Sequence, residues 1–139
     1  EHVGSSISRI EEISNSNLDV ETKMDELLKD SIKFWADHKD FFNIYFEQIT
    51  TEMKIHPFKC HEEMKQRVNK SIENIIIEGQ NKNIFDKTLD PKILTLSIRG
   101  MMIMPMLQMQ LMDPSMKLNI EKIHHTIKQT IFKGIRNEA

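Results

Sequence analysis

Residues 75–103 read IIIEGQNKNIFDKTLDPKILTLSIRGMMI, and no other stretch restricts the fold as much. An apolar run ends in Glu78-Gly79. A polar bridge follows, anchored by Ile84-Phe85, and Asp90-Pro91 opens a second, mostly apolar run. Each piece has a local reason. Gly79 is free to take the left-handed conformation that closes a helix. Asp90 offers a carboxylate to the unpaired N–H groups of a first turn, and Pro91 fits that turn because no backbone donor is needed there. The stretch predicts two long helices joined by a short linker.

The rest of the chain follows the same pattern. Val3, Ile7, Ile10 and Ile13 recur at helical spacing until Asn15-Ser16-Asn17 interrupts them. Asp19 caps a second helix, with Met24, Leu27, Leu28, Ile32 and Trp35 on one face as far as His38. Asp40 restarts a helix over 40–54 whose Phe41, Phe42, Ile44, Tyr45, Phe46, Ile49 and Met53 form a wide apolar face, stopped by His56-Pro57. A helix from Phe58 to Glu78 carries Cys60 or His61, Met64, Val68, Ile72, Ile75 and Ile76. The next runs from Pro91 to Met112 and stops at Asp113-Pro114-Ser115. The last, Asn119 to Arg136, carries Ile120, Ile123, Ile127, Ile131 and Ile135. With only four glycines and four prolines there are few breakers. The expectation is an all-α bundle of six helices forming one domain over residues 1–139.

A net charge of −2 excludes a chain that coats nucleic acid by bulk electrostatics. The single cysteine, Cys60, cannot form an internal disulfide and suits a reducing cytosol. No apolar run reaches the roughly 18–20 residues that span a bilayer. The first residue is Glu rather than Met, which points to a longer parent. No HExxH, glycine-rich phosphate loop or Ser-His-Asp order is present, so the expectation is a protein that is not an enzyme. His56, Cys60 and His61 are metal-ligand types in a spacing that matches no standard site. His124 and His125 point about 100° apart on a helix and do not converge on one ion. No metal and no cofactor is expected.

Seven of the ten methionines are Met101, Met102, Met104, Met106, Met109, Met112 and Met116. Methionine is unbranched and polarizable, and it repacks around different partners. Pro105 in their midst removes a backbone donor and should kink the helix. A kinked, adaptable wall beside the aromatic helix 40–54 suits a cavity for a bulky apolar molecule. Met102, Met106 and Met109 share a face and are soft enough for Cu(I), but their neighbours Ile103, Leu107 and Leu111 are apolar, which favours packing over copper.

Several segments resemble the C-terminal regulatory domain of TetR-family transcriptional regulators. NIIIEGQNKNIFDKTLDP, 74–91, is similar to the junction before that family's eighth helix. DELLKDSIKFWADHKDFFNIYFEQ, 25–48, resembles its fifth helix, short turn and sixth helix. IEKIHHTIKQTIFKGIRN, 120–137, resembles its closing helix, and residues 1–14 resemble the remainder of the helix that leads from the DNA-binding domain. The family's N-terminal helix-turn-helix has no counterpart in this sequence. The resemblance implies an effector-binding and dimerisation domain of a cytoplasmic regulator, most simply a repressor. Its DNA contact would be made only through the parent's N-terminal domain.

The resemblance also implies a homodimer in which the last two helices of each subunit build a four-helix interface. Met106, Met109, Ile120, Ile123, His124, Ile127 and Ile131 are the residues expected there. The effector is expected to be small and largely apolar, held by Trp35, Phe42, Tyr45, Phe46, Ile49, Met64, Val68, Met101 and Met104. Arg99 is expected to face solvent; an inward Arg99 would neutralise an anionic head group. Two other readings stand beside this one. The first is a helical interaction module with a methionine-rich groove. The second is a metal-binding helical bundle.

Overall fold

The computed structural model describes residues 2–40, 43–44, 47, 50–51, 54, 62–113, 115–117 and 119–138, leaving aside the side chains of His2, Val3, Glu62, Met64 and Leu111. Helices with defined bounds are α1 (His2–Asn15), α2 (Val20–Asp37), α3 (Glu62–Asn81), α4 (Pro91–Leu107) and α5 (Ile120–Ile135), and a π turn over Gln108–Met112 continues α4. Among the described residues there is no strand, only an isolated antiparallel bridge between Phe85 and Arg136.

Of the helix expected over 40–54, Asp40, Asn43, Ile44, Glu47, Thr50, Thr51 and Lys54 are helical. All of these but Asn43 are exposed. Ile44, expected on the apolar face, is 55% exposed and shares the solvent side with Asp40 and Glu47. Phe41, Phe42, Tyr45, Phe46, Ile49 and Met53 lie outside the described residues, as do His56, Cys60 and His61.

Local chemistry sets the helix starts. The Asp19 carboxylate accepts from Thr22 N at 2.9 Å, and Asp90 accepts from Lys92 N at 2.8 Å and Ile93 N at 3.2 Å, with Pro91 in the first turn. Asn119 accepts from Lys122 N at 3.0 Å. Each side-chain oxygen satisfies a donor that a helix start leaves unpaired.

The end of α3 differs from the sequence expectation. Gly79 does not take a left-handed conformation, and the helix runs two residues past it to Asn81. Asn83 turns the chain instead, at φ 60°. Ile84 N donates to Gly79 O at 2.9 Å and Asn83 N to Gln80 O at 3.1 Å, the paired bonds of a Schellman ending. Asparagine tolerates this conformation better than other residues with a β-carbon. Gly79 serves a packing purpose: a β-carbon there would overlap the ring of Phe85, which is fully buried.

The linker that follows is ordered by the same residues. The buried Gln80 amide donates to Asp86 O at 3.0 Å and Leu89 O at 2.8 Å. Asp86 N donates to Ile135 O at 2.7 Å and Asn137 N to Ile84 O at 2.8 Å, so the linker pairs with the chain leaving α5.

Helix α2 is central and contacts α1, α3, α4 and α5. Met24, Leu27, Leu28 and Ile32 on α2 meet Ile72, Ile75 and Ile76 from α3, Ile98 and Met106 from α4, and Ile127 and Ile135 from α5. Each fully buried side chain of this size stabilises the fold by about 1.5–3 kcal/mol relative to exposure. Helix α4 continues through Pro105, and the π turn begins three residues later. Proline has no N–H for the Met101 carbonyl, and Gln108 N is shared between Met104 O and Pro105 O.

Candidate ligand-binding site

Four helices converge on a cavity of about 60 Å³. Helix α1 contributes Ser6, Ile7 and Ile10; α2 contributes Ser31, Phe34 and Trp35; α3 contributes Lys65 and Val68; and α4 contributes Arg99, Met102 and Ile103. Phe34 meets Trp35 edge-on at 5.3 Å between ring centroids and stacks on His38 at 4.4 Å. The wall is thus apolar, with hydroxyls and two cationic side chains set into it. No carboxylate is among its described lining residues.

The two ends of α1 are held differently. At its C-terminal end, the Ser14 hydroxyl donates to Ser71 O at 3.0 Å. The buried Lys23 ammonium donates to Ser14 O at 2.9 Å and to Glu78 Oε1 at 2.7 Å. Lys23 and then Lys82 hold the Glu78 carboxyl below the ordinary glutamate range. Along its length, α1 is strapped to α3 by Glu11 and Arg67, at 3.0 and 2.6 Å, and to α2 by Arg9 and Asp30 at 3.0 Å. The Arg67 hydrogen bonds draw the Glu11 carboxyl down and raise the Arg67 guanidinium. Nearer its N-terminus, Ser6 and Ile7 face the cavity.

Of the residues expected at a ligand site, Trp35 and Val68 line this cavity. Met101 and Met104 do not: Met101 packs partly buried against the core, and Met104 is 57% exposed. The face of α4 turned inward is Thr95, Ile98, Met102 and Met106. Its phase was readable by following Ile98 in steps of four, and a one-residue error turns a side chain by about 100°. Phe42, Tyr45, Phe46 and Ile49 lie outside the described residues, as does the Met64 side chain. Sequence reasoning missed Ile7, Ile10, Phe34, Met102 and Ile103 as lining residues. It also turned Arg99 outward, whereas Arg99 lines the cavity and donates to Asn69 Oδ1 at 2.9 Å.

The residues expected at a dimer interface also move. Met106, Ile123, Ile127 and Ile131 are buried in the core of their own chain, because α5 needs that isoleucine stripe to pack on α2 and α4. Met109 and Ile120 pack partly buried against the same core. The His124 ring nitrogen sits 2.7 Å from Asp25, which also accepts from Lys128 at 3.2 Å. Among the described residues, the exposed apolar side chains include a different stripe on α4, with Ile93 at 65% and Leu96 at 61% preceding Gly100 and Met104.

Met102 and Met106 are buried core residues rather than accessible copper ligands. Among the described residues no three potential ligands gather to hold a metal ion. No helix of the described residues is long and apolar enough to cross a membrane.

These helices close on an apolar cavity within an all-α domain. The family described as Tetracyclin repressor-like, C-terminal domain, matches residues 17–105, and the chain belongs to it. That family consists of transcriptional regulators and not of enzymes.

Solved structures agree on the fold. The Mycobacterium tuberculosis ketosteroid transcriptional regulator KstR2 superposes with a TM-score of 0.79 at 16% identity, over 99% of this chain and 68% of that one. A Clostridium perfringens protein, named as a proposed regulator of fatty acid metabolism, gives 0.75 at 18% identity, over 96% and 72%. A TetR/AcrR-family regulator from Thermobifida fusca YX-ER1 gives 0.70 at 15% identity, over 96% and 68%. No curated protein sequence matches significantly.

Proposed function

We propose that this chain is the effector-sensing and dimerisation domain of a TetR-like repressor acting in the cytoplasm, and that its effector is a largely apolar small molecule. The observation that carries this reading is the cavity at the meeting of α1, α2, α3 and α4, walled by Ile7, Ile10, Trp35, Val68 and Met102. Two structural relatives are named for ketosteroids and fatty acid metabolism, and both chemistries have apolar skeletons.

At about 60 Å³ the cavity is well below the roughly 300–1,000 Å³ of ordinary ligand pockets, so an effector must part the helices to enter. The helix proposed to yield is α1, whose hold toward its N-terminus includes the exposed Arg9–Asp30 pair. Its Ser14 end is fixed by buried hydrogen bonds, its middle by Glu11 and Arg67, and its Ile7 end by cavity contacts and one exposed ion pair. An effector swinging α1 about Ser14 would re-aim whatever the parent protein carries before it, including a DNA reader. The shift requires an effector that prefers the opened arrangement.

The dimer contact proposed is the stripe of exposed Ile93, Leu96 and Met104 with half-buried Gly100 on α4, and the outward face of α5 beside it. A two-fold contact needs a self-complementary apolar surface, and Gly100 allows close approach, since nothing lies within 4 Å of where its β-carbon would be.

Native mass spectrometry of the purified chain tests the reading. A dimer that retains a small organic adduct supports it. A monomer that takes up no apolar compound from a steroid and lipid panel would exclude it.

A further inference from the structure

We infer that the cavity receives one neutral oxygen of an otherwise apolar effector, a hydroxyl or a ketone, and that Ser31 and Ser6 hold it. This deepens the proposed function and rests on the same cavity. Ser6 comes from α1 and Ser31 from α2, and both line the wall beside Ile7, Ile10 and Met102. Ser31 is buried, with 8% of its surface exposed, and Ser6 is half-buried. Neither hydroxyl has a hydrogen-bond partner among the described residues.

Other hydroxyls in these helices show what such a group does when it serves only the fold. Those of Ser71, Thr95, Ser97, Thr126 and Thr130 each donate to the carbonyl four residues earlier, at 2.7–2.9 Å. Ser31 and Ser6 do not make this bond, although both lie inside helices. A buried hydroxyl without a partner costs stability, and an oxygen bound in the cavity removes that cost. A ligand hydroxyl accepts from one serine and donates to the other, and a ketone oxygen has two lone pairs and accepts from both. Either one bridges α1 to α2 toward the Ile7 end of α1, the end proposed to move. Arg99, on the same wall, is already engaged with Asn69 Oδ1 at 2.9 Å, and two hydroxyls recognise an oxygen that carries no charge.

The test uses four probes with a common p-tolyl body: p-xylene, p-cresol, p-methylacetophenone and p-toluate. The purified chain, Ser31→Ala and Ser6→Ala are titrated with each, followed by backbone amide NMR shifts. The quantity read is affinity relative to p-xylene, which separates the oxygen from the apolar body. For the better of p-cresol and p-methylacetophenone, this ratio should fall about threefold to tenfold in each variant, the effect of losing one neutral hydrogen bond. Unliganded Ser31→Ala should melt no lower than the parent, and a large drop would mean that the hydroxyl serves the fold and would overturn its role here. A ratio unchanged in either variant, with p-xylene still bound, would overturn the part given to that serine while leaving an apolar cavity in place. Tightest binding of p-toluate would overturn a neutral group. Binding of none of the four would remove the cavity as a ligand site, and the proposed function with it.

Discussion

The ring of Phe85 lies directly over Gly79, so closely that the position on α3 has no room for a β-carbon. The same two residues are joined along the backbone, where Phe85 N donates to Gly79 O at 3.1 Å. The glycine lets the linker fold back onto the helix it has just left. That return places the linker beside Ile135 and fixes where α4 begins.

Gly79→Ala should therefore destabilise the chain. In an open helix interior, this change stabilises by about 1 kcal/mol. Here the methyl group meets a fully buried ring, and overpacking of this kind costs about 1–3 kcal/mol. Urea unfolding reads the sign, and a stabilised Gly79→Ala would refute the packing role. Combining it with Phe85→Leu should recover part of the loss attributable to the clash.

Asn83 carries the left-handed turn at the end of α3. Asn83→Gly should be neutral or slightly stabilising, and Asn83→Val should cost roughly 1–2 kcal/mol because a β-branched residue is strained at that backbone angle. Thermal unfolding of the pair decides it. Equal melting temperatures would mean that the turn relaxes to another form.

Glu78 makes stability depend on pH in a predictable direction. Lys23 and Lys82 lower its carboxyl below the glutamate value of the unfolded chain, about 4.3. A lowered folded value means the stabilisation is complete above the unfolded value and is lost as the pH falls through the folded one. Glu78→Gln should be less stable at neutral pH by roughly 1 kcal/mol, a modest figure because the carboxylate is partly exposed. The gap between the two proteins should close on acidification. A gap that persists undiminished in strong acid would place the effect elsewhere.

The two isoleucine surfaces should separate under mutation. Ile127→Ala empties part of the core and should cost about 2–5 kcal/mol. Leu96→Glu lies on the exposed stripe and should leave unfolding nearly unchanged while shifting the chain toward monomer in sedimentation velocity. A Leu96→Glu protein that stays dimeric would move the contact off this face.

Trp35→Ala should abolish ligand-induced stabilisation and leave the oligomeric state intact. Differential scanning fluorimetry with the tightest probe reads the first, and sedimentation the second. Ligand stabilisation that survives the change would place the effector away from α2.

Much of the helical layout was written in local chemistry. Asp19, Asp90 with Pro91, and Asn119 cap helices within a few residues of their own positions, so no distant partner is needed to read them. The stripes of α1, α2 and α5 were equally legible, because Ile7, Leu27 and Ile127 mark their buried faces by spacing alone. Tertiary structure decided which surface an apolar residue serves. Ile123 and Met106 looked available for a second subunit, yet the chain's own helices cover them. Met104 looked like pocket wall and faces solvent. A helical stripe states which residues share a face but not what lies opposite, and α4 is apolar around most of its circumference. The role of Gly79 was hidden for the same reason. Its freedom as a helix closer is a local property, whereas the ring that excludes a β-carbon arrives from a linker whose path depends on α5. Arg99 lines the cavity and donates to Asn69, thirty positions earlier, a contact that spacing along α4 does not reveal.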